Sequence, residues 1–162
     1  MRLTLGSRSY DLTTRALVIG VGGVPEEMVA EGADVIEVEV DDGRAPAPVS
    51  TTASDEGDLG RALAAGAGLV RLTDPTPGEL ALCAATGASV LVPAGATGDA
   101  EAAGLPPDRI VSDRLLVDVT ADDCPVAATA AGVIRGARIV RTTDVRGARR
   151  VCDVLAAVME AR

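Results

Sequence analysis

EGADVIEV at residues 31–38, AGAGLVRL at 65–72 and RGARIVRT at 135–142 share one grammar. Each sets a glycine where a helix ends, an alanine beside it, and then a run of aliphatic and β-branched residues. Glycine suits the left-handed backbone at a helix C-terminus, and alanine lets helix and strand approach closely at the strand entry. The phrase is the loop chemistry of a helix handing over to a strand, and by itself it needs no function.

Outward from these phrases, the chain reads as a series of short strands and Ala/Leu-rich helices. The spacing predicts strands at 16–21, 34–40, 68–73, 89–93, 109–119 and 137–142, and helices at 25–31, 56–65, 77–86, 99–103, 125–135 and 145–160. Alternation of this kind predicts an α/β fold with a parallel sheet. Residues 1–14 stand apart: Leu3, Leu5, Tyr10 and Leu12 alternate as in a short hairpin, read as a lid or plug. In the last helix Ala148, Val151, Cys152, Leu155, Val158 and Met159 form one apolar stripe, and Thr143 or Asp144 can cap its start. Helix 125–135 has no charge between Cys124 and Ile134, which predicts burial all round and a subunit contact through residues 124–162.

With 162 residues the chain has room for one domain spanning 1–162 and falls short of the ~250 residues of a complete (β/α)8 barrel. It contains no Lys, His, Asn, Gln, Phe or Trp. An imidazole base, a Schiff-base lysine and a phosphate-loop lysine are therefore excluded, and any chemistry must run on Asp, Glu, Arg, Cys, Ser, Thr or Tyr10. A formal charge of −9 argues against nucleic acid and anionic membranes as partners, while 15 arginines leave room for a locally positive pocket. Cys83, Cys124 and Cys152 lack metal-ligand spacing and read as buried free thiols. The N-terminus has no charged head followed by an apolar run, and no stretch nears the ~18 apolar residues of a membrane span, so the expected compartment is the cytoplasm.

Two segments carry candidate chemistry. In strand 34–40 the acids Glu37, Glu39 and Asp41 alternate with Ile36, Val38 and Val40, so three carboxylates share one face. Facing a lumen they need arginine, a metal or a ligand; on a solvated edge strand they need nothing. Gly20-Val21-Gly22-Gly23 ends the first strand before a helix and offers backbone amides to an anion, a weak signal shared with any tight turn.

Taken together, residues 31–50, 58–92, 100–113 and 137–162 resemble the dihydropteroate synthase family, in the family's order and from about residue 16 to the end. The family's IDIGGESTRPGA segment is matched by IEVEVDDGRAPA at 36–47, which places Glu37 on its aspartate, Asp41 on its glutamate and Arg44 on its arginine. The aspartate that ends the AGIPPERIVLD phrase falls on Asp113. The RVHDV phrase is matched by RTTDV, which keeps Arg141 and Asp144 and puts Thr143 in place of histidine. Further features depart from the family. The NVTPDSF loop is reduced to GVGG, the IND phrase becomes Val70-Arg71-Leu72, and the SRKS lysine has no counterpart. Only Arg114 separates RIVSD from LLVDV, where parallel neighbours need a crossover of roughly ten residues or more; residues 40–49 also lack a crossover helix if PVSTT is a strand.

The resemblance implies a reduced or incomplete TIM-barrel-like parallel sheet of six to eight short βα units. It also implies a role in folate or pterin metabolism. It assigns Glu37 and Asp113 to a pterin, Arg44 and Arg141 to pyrophosphate or another anion, and Asp41 to a metal or ligand, with Mg²⁺ as the metal. The missing lysine, asparagine and histidine imply a catalytically impaired pterin-binding or accessory protein, with no catalytic residue assigned. Such a protein pairs with itself or with a full-length synthase, as the family pairs through its C-terminal helices. The alternatives are an active minimal synthase that joins a dihydropterin pyrophosphate to p-aminobenzoate, and a small Rossmann-like nucleotide binder with a doubly wound sheet.

Overall fold

The computed structural model describes residues 1–37 and 48–161. It opens with the expected hairpin, β1 (Arg2–Leu5) antiparallel to β2 (Arg8–Asp11), Leu3 opposite Tyr10. Eight strands follow: β3 (Leu17–Val21), β4 (Val35–Glu37), β5 (Val49–Ala53), β6 (Leu69–Leu72), β7 (Ser89–Val92), β8 (Ile110–Ser112), β9 (Leu116–Asp118) and β10 (Ile139–Thr142). The helices are α1 (Pro25–Ala30), α2 (Glu56–Ala64), α3 (Pro77–Thr86), α4 (Thr97–Ala102), α5 (Pro125–Ile134) and α6 (Val145–Glu160).

From β3 to β8 each strand lies beside its neighbour in sequence, and β10 lies between β3 and β9, every pair parallel. This is the circular order of a TIM barrel, with the last strand against the first. A doubly wound sheet would reverse its order at an internal strand, so the Rossmann-like alternative does not describe this chain. Among the described residues, the one junction without a ladder is between β8 and β9.

Eight strands fit a short chain because the connections are cut down. α1 and α4 have six residues each, and a 3-10 turn at Asp113–Leu115 joins β8 to β9. The crossover rule holds for strands that must return to pair side by side; β8 pairs with β7 and β9 with β10, so the chain steps across the seam without a return helix. PVSTT is a strand after all, since β5 pairs with β4 and β6.

Local signals set the helix ends. In α3 the Thr76 hydroxyl accepts from the Glu79 amide while the Glu79 carboxylate accepts from the Thr76 amide, a capping box. The Asp144 side chain caps α6 by accepting from the Gly147 amide at 2.9 Å, whereas Thr143 is exposed. At Gly132 in α5 an added Cβ would come within 2.9 Å of Val117, so the glycine lets this helix lie close on β9.

Strand alternation divides the apolar residues into an inner and an outer set. Outward, Val18, Ile36 and Val140 pack under Met28, Val133, Ala148 and Cys152, while Val70, Val90 and Val92 pack under Leu59, Leu80 and Cys83. Inward, Leu17, Ile19, Val35, Leu69, Leu91, Val111 and Ile139 fill the lumen. Leu3, Leu5 and Leu12 join this inner cluster, so the N-terminal hairpin is a plug at the base of the barrel. The Ser89 hydroxyl bonds the Thr4 carbonyl and the Thr4 hydroxyl donates to Asp108 at 2.7 Å, which fixes the plug to the wall.

Within the chain, α5 buries only Thr129 and Val133 against its neighbours, and Val126 and Ile134 are exposed. One expectation needs correction: Cys83 and Cys152 are buried, but Cys124, just before α5, is exposed. Among the described residues no helix is long and apolar enough to cross a membrane.

Candidate binding site at the barrel mouth

At the C-terminal ends of the strands the inward positions change from apolar to charged. Glu37 ends β4, Arg71 lies near the end of β6, Asp118 ends β9 and Arg141 is the third residue of β10. Register explains how they meet. Arg141 pairs with Ile19 on one side and with Asp118 on the other, and Glu37 pairs with Val21 of β3 and with Ser50 of β5. Arg141 therefore reaches over β3, where Ile19 forms an apolar floor, to a carboxylate two strands away.

The contact is a two-pronged ion pair. Arg141 Nε donates to Glu37 Oε2 at 2.8 Å and Nη2 to Oε1 at 2.5 Å. Its Nη1 donates to Asp118 Oδ2 at 2.9 Å and to the Thr120 hydroxyl at 3.3 Å. Arg71 stands further off, with Nη1 3.8 Å from Asp118 Oδ2. Glu37 and Arg141 are both more than four-fifths buried, at 17% and 18% side-chain exposure, so the fork geometry is what makes the burial of two charges tolerable. Its hydrogen bonds to Glu37 push the Arg141 guanidinium still further above its already high range, against the opposing effect of burial. Burial alone would raise the Asp118 carboxyl, but donation from Thr120 and then the Arg141 charge outweigh it and leave it below its ordinary 3.8.

The ion pairs stand at a narrow cleft whose enclosed space is about 10 Å³, room for one water. Leucine and isoleucine side chains (Ile19, Leu69, Leu91, Leu116) form its floor, and Glu37, Ser50, Arg71 and Arg141 reach its rim. Of the residues expected at a site, Glu37 and Arg141 are brought together here. Asp113 does not line this cleft: it is exposed in the turn between β8 and β9 and accepts from the Ala94 amide at 3.1 Å. Arg44 and Asp41, with Glu39, lie outside the described residues. The edge-strand reading of the acidic segment is overturned, because β4 is flanked by β3 and β5. Among the described residues no group of three or more Asp, Glu or Cys side chains is spaced for a metal, and Glu37 and Asp118 both pair with arginine.

Asp118, Thr120, Arg71 and Ser50 were not expected at the site. The signal for Arg71 was a charge inside the apolar run LVRL, and for Asp118 a carboxylate closing LLVD; both share the inward parity of their strands.

No protein-family model and no curated protein matches the sequence. Solved structures do. The dihydropteroate synthase of Yersinia pestis, solved with a sulfonamide drug, is 16% identical with a TM-score of 0.83, the match covering 100% of each chain. That of Thermus thermophilus is 22% identical with a TM-score of 0.78 over 98% of this chain and 99% of the other. Mycobacterium tuberculosis Rv1207 is 21% identical with a TM-score of 0.77 over 92% of this chain and 94% of the other. Such likeness at low identity speaks for backbone architecture, and on that ground the chain has the fold of the dihydropteroate synthases.

Proposed function

We propose that the protein is a catalytically impaired pterin-binding relative of dihydropteroate synthase, working in the cytoplasm as an accessory protein in folate or pterin metabolism. One observation carries this reading: Glu37 and Arg141, the residues that the resemblance places at the pterin and the pyrophosphate, meet at the C-terminal mouth of the barrel, the end where TIM-barrel sites lie. A Thermus thermophilus relative has been solved in complex with 6HMPPP and a Yersinia pestis one with a pterine-sulfa conjugate. The resemblance assigns Glu37 and Asp113 to pterin N–H groups and Arg141 and Arg44 to the anionic end, and on this reading the ligand takes the place of the Glu37–Arg141 pairing. Transfer is impaired because no lysine or histidine is present to stabilise a leaving pyrophosphate.

Calorimetry with a dihydropterin tests the binding. Asp113→Ala is expected to weaken it roughly tenfold, the value of one hydrogen bond to a charged acceptor; equal binding by wild type and variant removes Asp113 from the site. In a coupled assay with Mg²⁺ no dihydropteroate should form, and turnover abolished by Asp113→Ala would restore the minimal synthase.

The same reading includes pairing, with a second copy or with a full-length synthase. Val126 and Ile134 on α5 and Val154, Val158 and Met159 on α6 are exposed apolar residues on two helices that pack together. Light scattering at micromolar concentration is expected to give twice the 16.3 kDa of one chain; a monomer mass that does not change on concentrating would dispose of the homodimer.

A further inference from the structure

Arg141 holds two carboxylates, and the fold treats them differently. Asp118 is its direct neighbour: the two are partners across the β9–β10 ladder, and the Val119 amide, one residue on, donates to the Arg141 carbonyl at 2.9 Å. Glu37 is two strands away, beyond β3, and meets Arg141 through side chains alone. The Asp118 carboxylate is also fixed in its rotation. Its Oδ1 accepts from the Thr120 hydroxyl at 2.7 Å and from the Thr120 amide at 3.2 Å, which leaves Oδ2 to accept from Arg141 Nη1 at 2.9 Å. Nη1 donates to the Thr120 hydroxyl as well, at 3.3 Å, and closes a ring of hydrogen bonds around that end of the guanidinium.

The three nitrogens of Arg141 are therefore divided. Nη1 is held by Asp118 and Thr120, while Nε and Nη2, the edge with two parallel N–H donors, are held by Glu37. A cleft with room for one water admits a pterin only when Glu37 and Arg141 part. An arginine without a second partner would then turn freely, and ordering it again would cost binding energy. An arginine still tied at Nη1 keeps its plane and presents the vacated edge to whatever replaces the Glu37 carboxylate. Two parallel donors suit two oxygens of one anion.

We propose that Asp118, braced by Thr120, is a positioning residue: it keeps Arg141 aimed at the anionic end of the ligand while Glu37 changes partner from Arg141 to the pterin ring. The nature of the ligand rests here on the pterin reading above; the anchor is a feature of the chain with or without it. The resemblance assigns neither Asp118 nor Thr120 a role.

The test is calorimetry on the full chain with two ligands, a dihydropterin pyrophosphate and the matching dihydropterin alcohol, which has no anionic end. The wild-type protein should prefer the pyrophosphate, and in Asp118→Ala that preference should fall roughly tenfold, the value of a hydrogen bond to a charged group. A loss shared equally by both ligands is what a merely structural role gives, and it overturns the proposal, as does an unchanged preference or the absence of one in the wild type. A second measurement needs no ligand: rotation about the Arg141 Nε–Cζ bond, read by NMR from the side chains of isotope-labelled arginine. In Glu37→Gln the rotation should stay slow, and adding Asp118→Ala should speed it roughly tenfold or more. Asp118→Asn, isosteric and still able to accept from Thr120, takes the place of Asp118→Ala in both measurements if the alanine variant folds poorly, with a smaller change in the same direction. If the wild-type protein binds neither dihydropterin, the pterin reading fails and the rotation rates alone score the anchor; equal rates in the single and double variants overturn it.

Discussion

Arg149 at the base of this barrel and Arg141 at its mouth each hold two carboxylates, and they do different things. At the base, Arg149 on α6 donates to Asp34 and Asp153, each at 2.9 Å, and also to the Ala16 carbonyl at 3.3 Å. Asp34 in turn accepts from the Val18 amide at 2.9 Å and from Arg15 at 3.0 Å. At the mouth, Arg141 holds Glu37 and Asp118 with no backbone group among its partners. The charges and distances are alike. The basal cluster is stitched into the main chain where α6 meets the starts of β3 and β4, so it is structural cement. In the mouth cluster Arg141 binds side chains only, and the main-chain contact, the Thr120 amide donating to Asp118 Oδ1 at 3.2 Å, lies in the loop after β9, so a ligand can replace a partner without undoing a strand.

The sharpest way to break this contrast is to remove each arginine's role in turn and compare unfolding midpoints in urea. Arg149→Leu leaves Asp34 with Arg15 and the Val18 amide as its partners and the Ala16 carbonyl without a side-chain donor, and should cost about 3 kcal/mol, the low end of the range for breaking a buried pair. Glu37→Gln keeps shape and one acceptor oxygen at the mouth, and should cost about 1–2 kcal/mol, since solvent reaches part of that pair. Equal losses would mean that the mouth is as structural as the base. The smallest effect is in acid. Asp118 has a folded-state value below its ordinary 3.8, so its contribution is present above that value and is lost as the pH falls through the lower, folded one. With a third of its side chain exposed, the contribution is under about 1 kcal/mol after screening. Melting temperatures taken down from pH 6 should fall less steeply below about pH 4 in Asp118→Asn than in the wild-type protein; parallel curves would show that the carboxylate adds nothing.

Much of the barrel was legible because its signals are local. The αβ phrases at 31–38, 65–72 and 135–142 mark real helix-to-strand handovers, and the helix at 145–160 and the hairpin plug are where their patterns placed them. Glu37 could be assigned to the lumen because alternation along one strand needs no knowledge of its neighbours. β5 was harder: PVSTT is mostly polar, yet it is an interior strand because β4 and β6 pair with it on either side. Ser50, Arg71 and Asp118 were harder still. Each has ordinary local context, and their meeting depends on the register between strands dozens of residues apart, which a single sequence does not encode in any one window. The acids at 39 and 41 and Arg44 remain expectations.

The seam between β8 and β9 changes what kind of object the barrel is. A closed hoop of hydrogen-bonded strands has a fixed girth, because widening it anywhere means tearing a ladder. A ring split at one joint can spread there while every other pairing persists, with the 3-10 turn at Asp113–Leu115 as its hinge pin. At that joint the girth is held by the chain itself and by side-chain packing and not by a ladder, at the side where Asp118 and Asp113 stand.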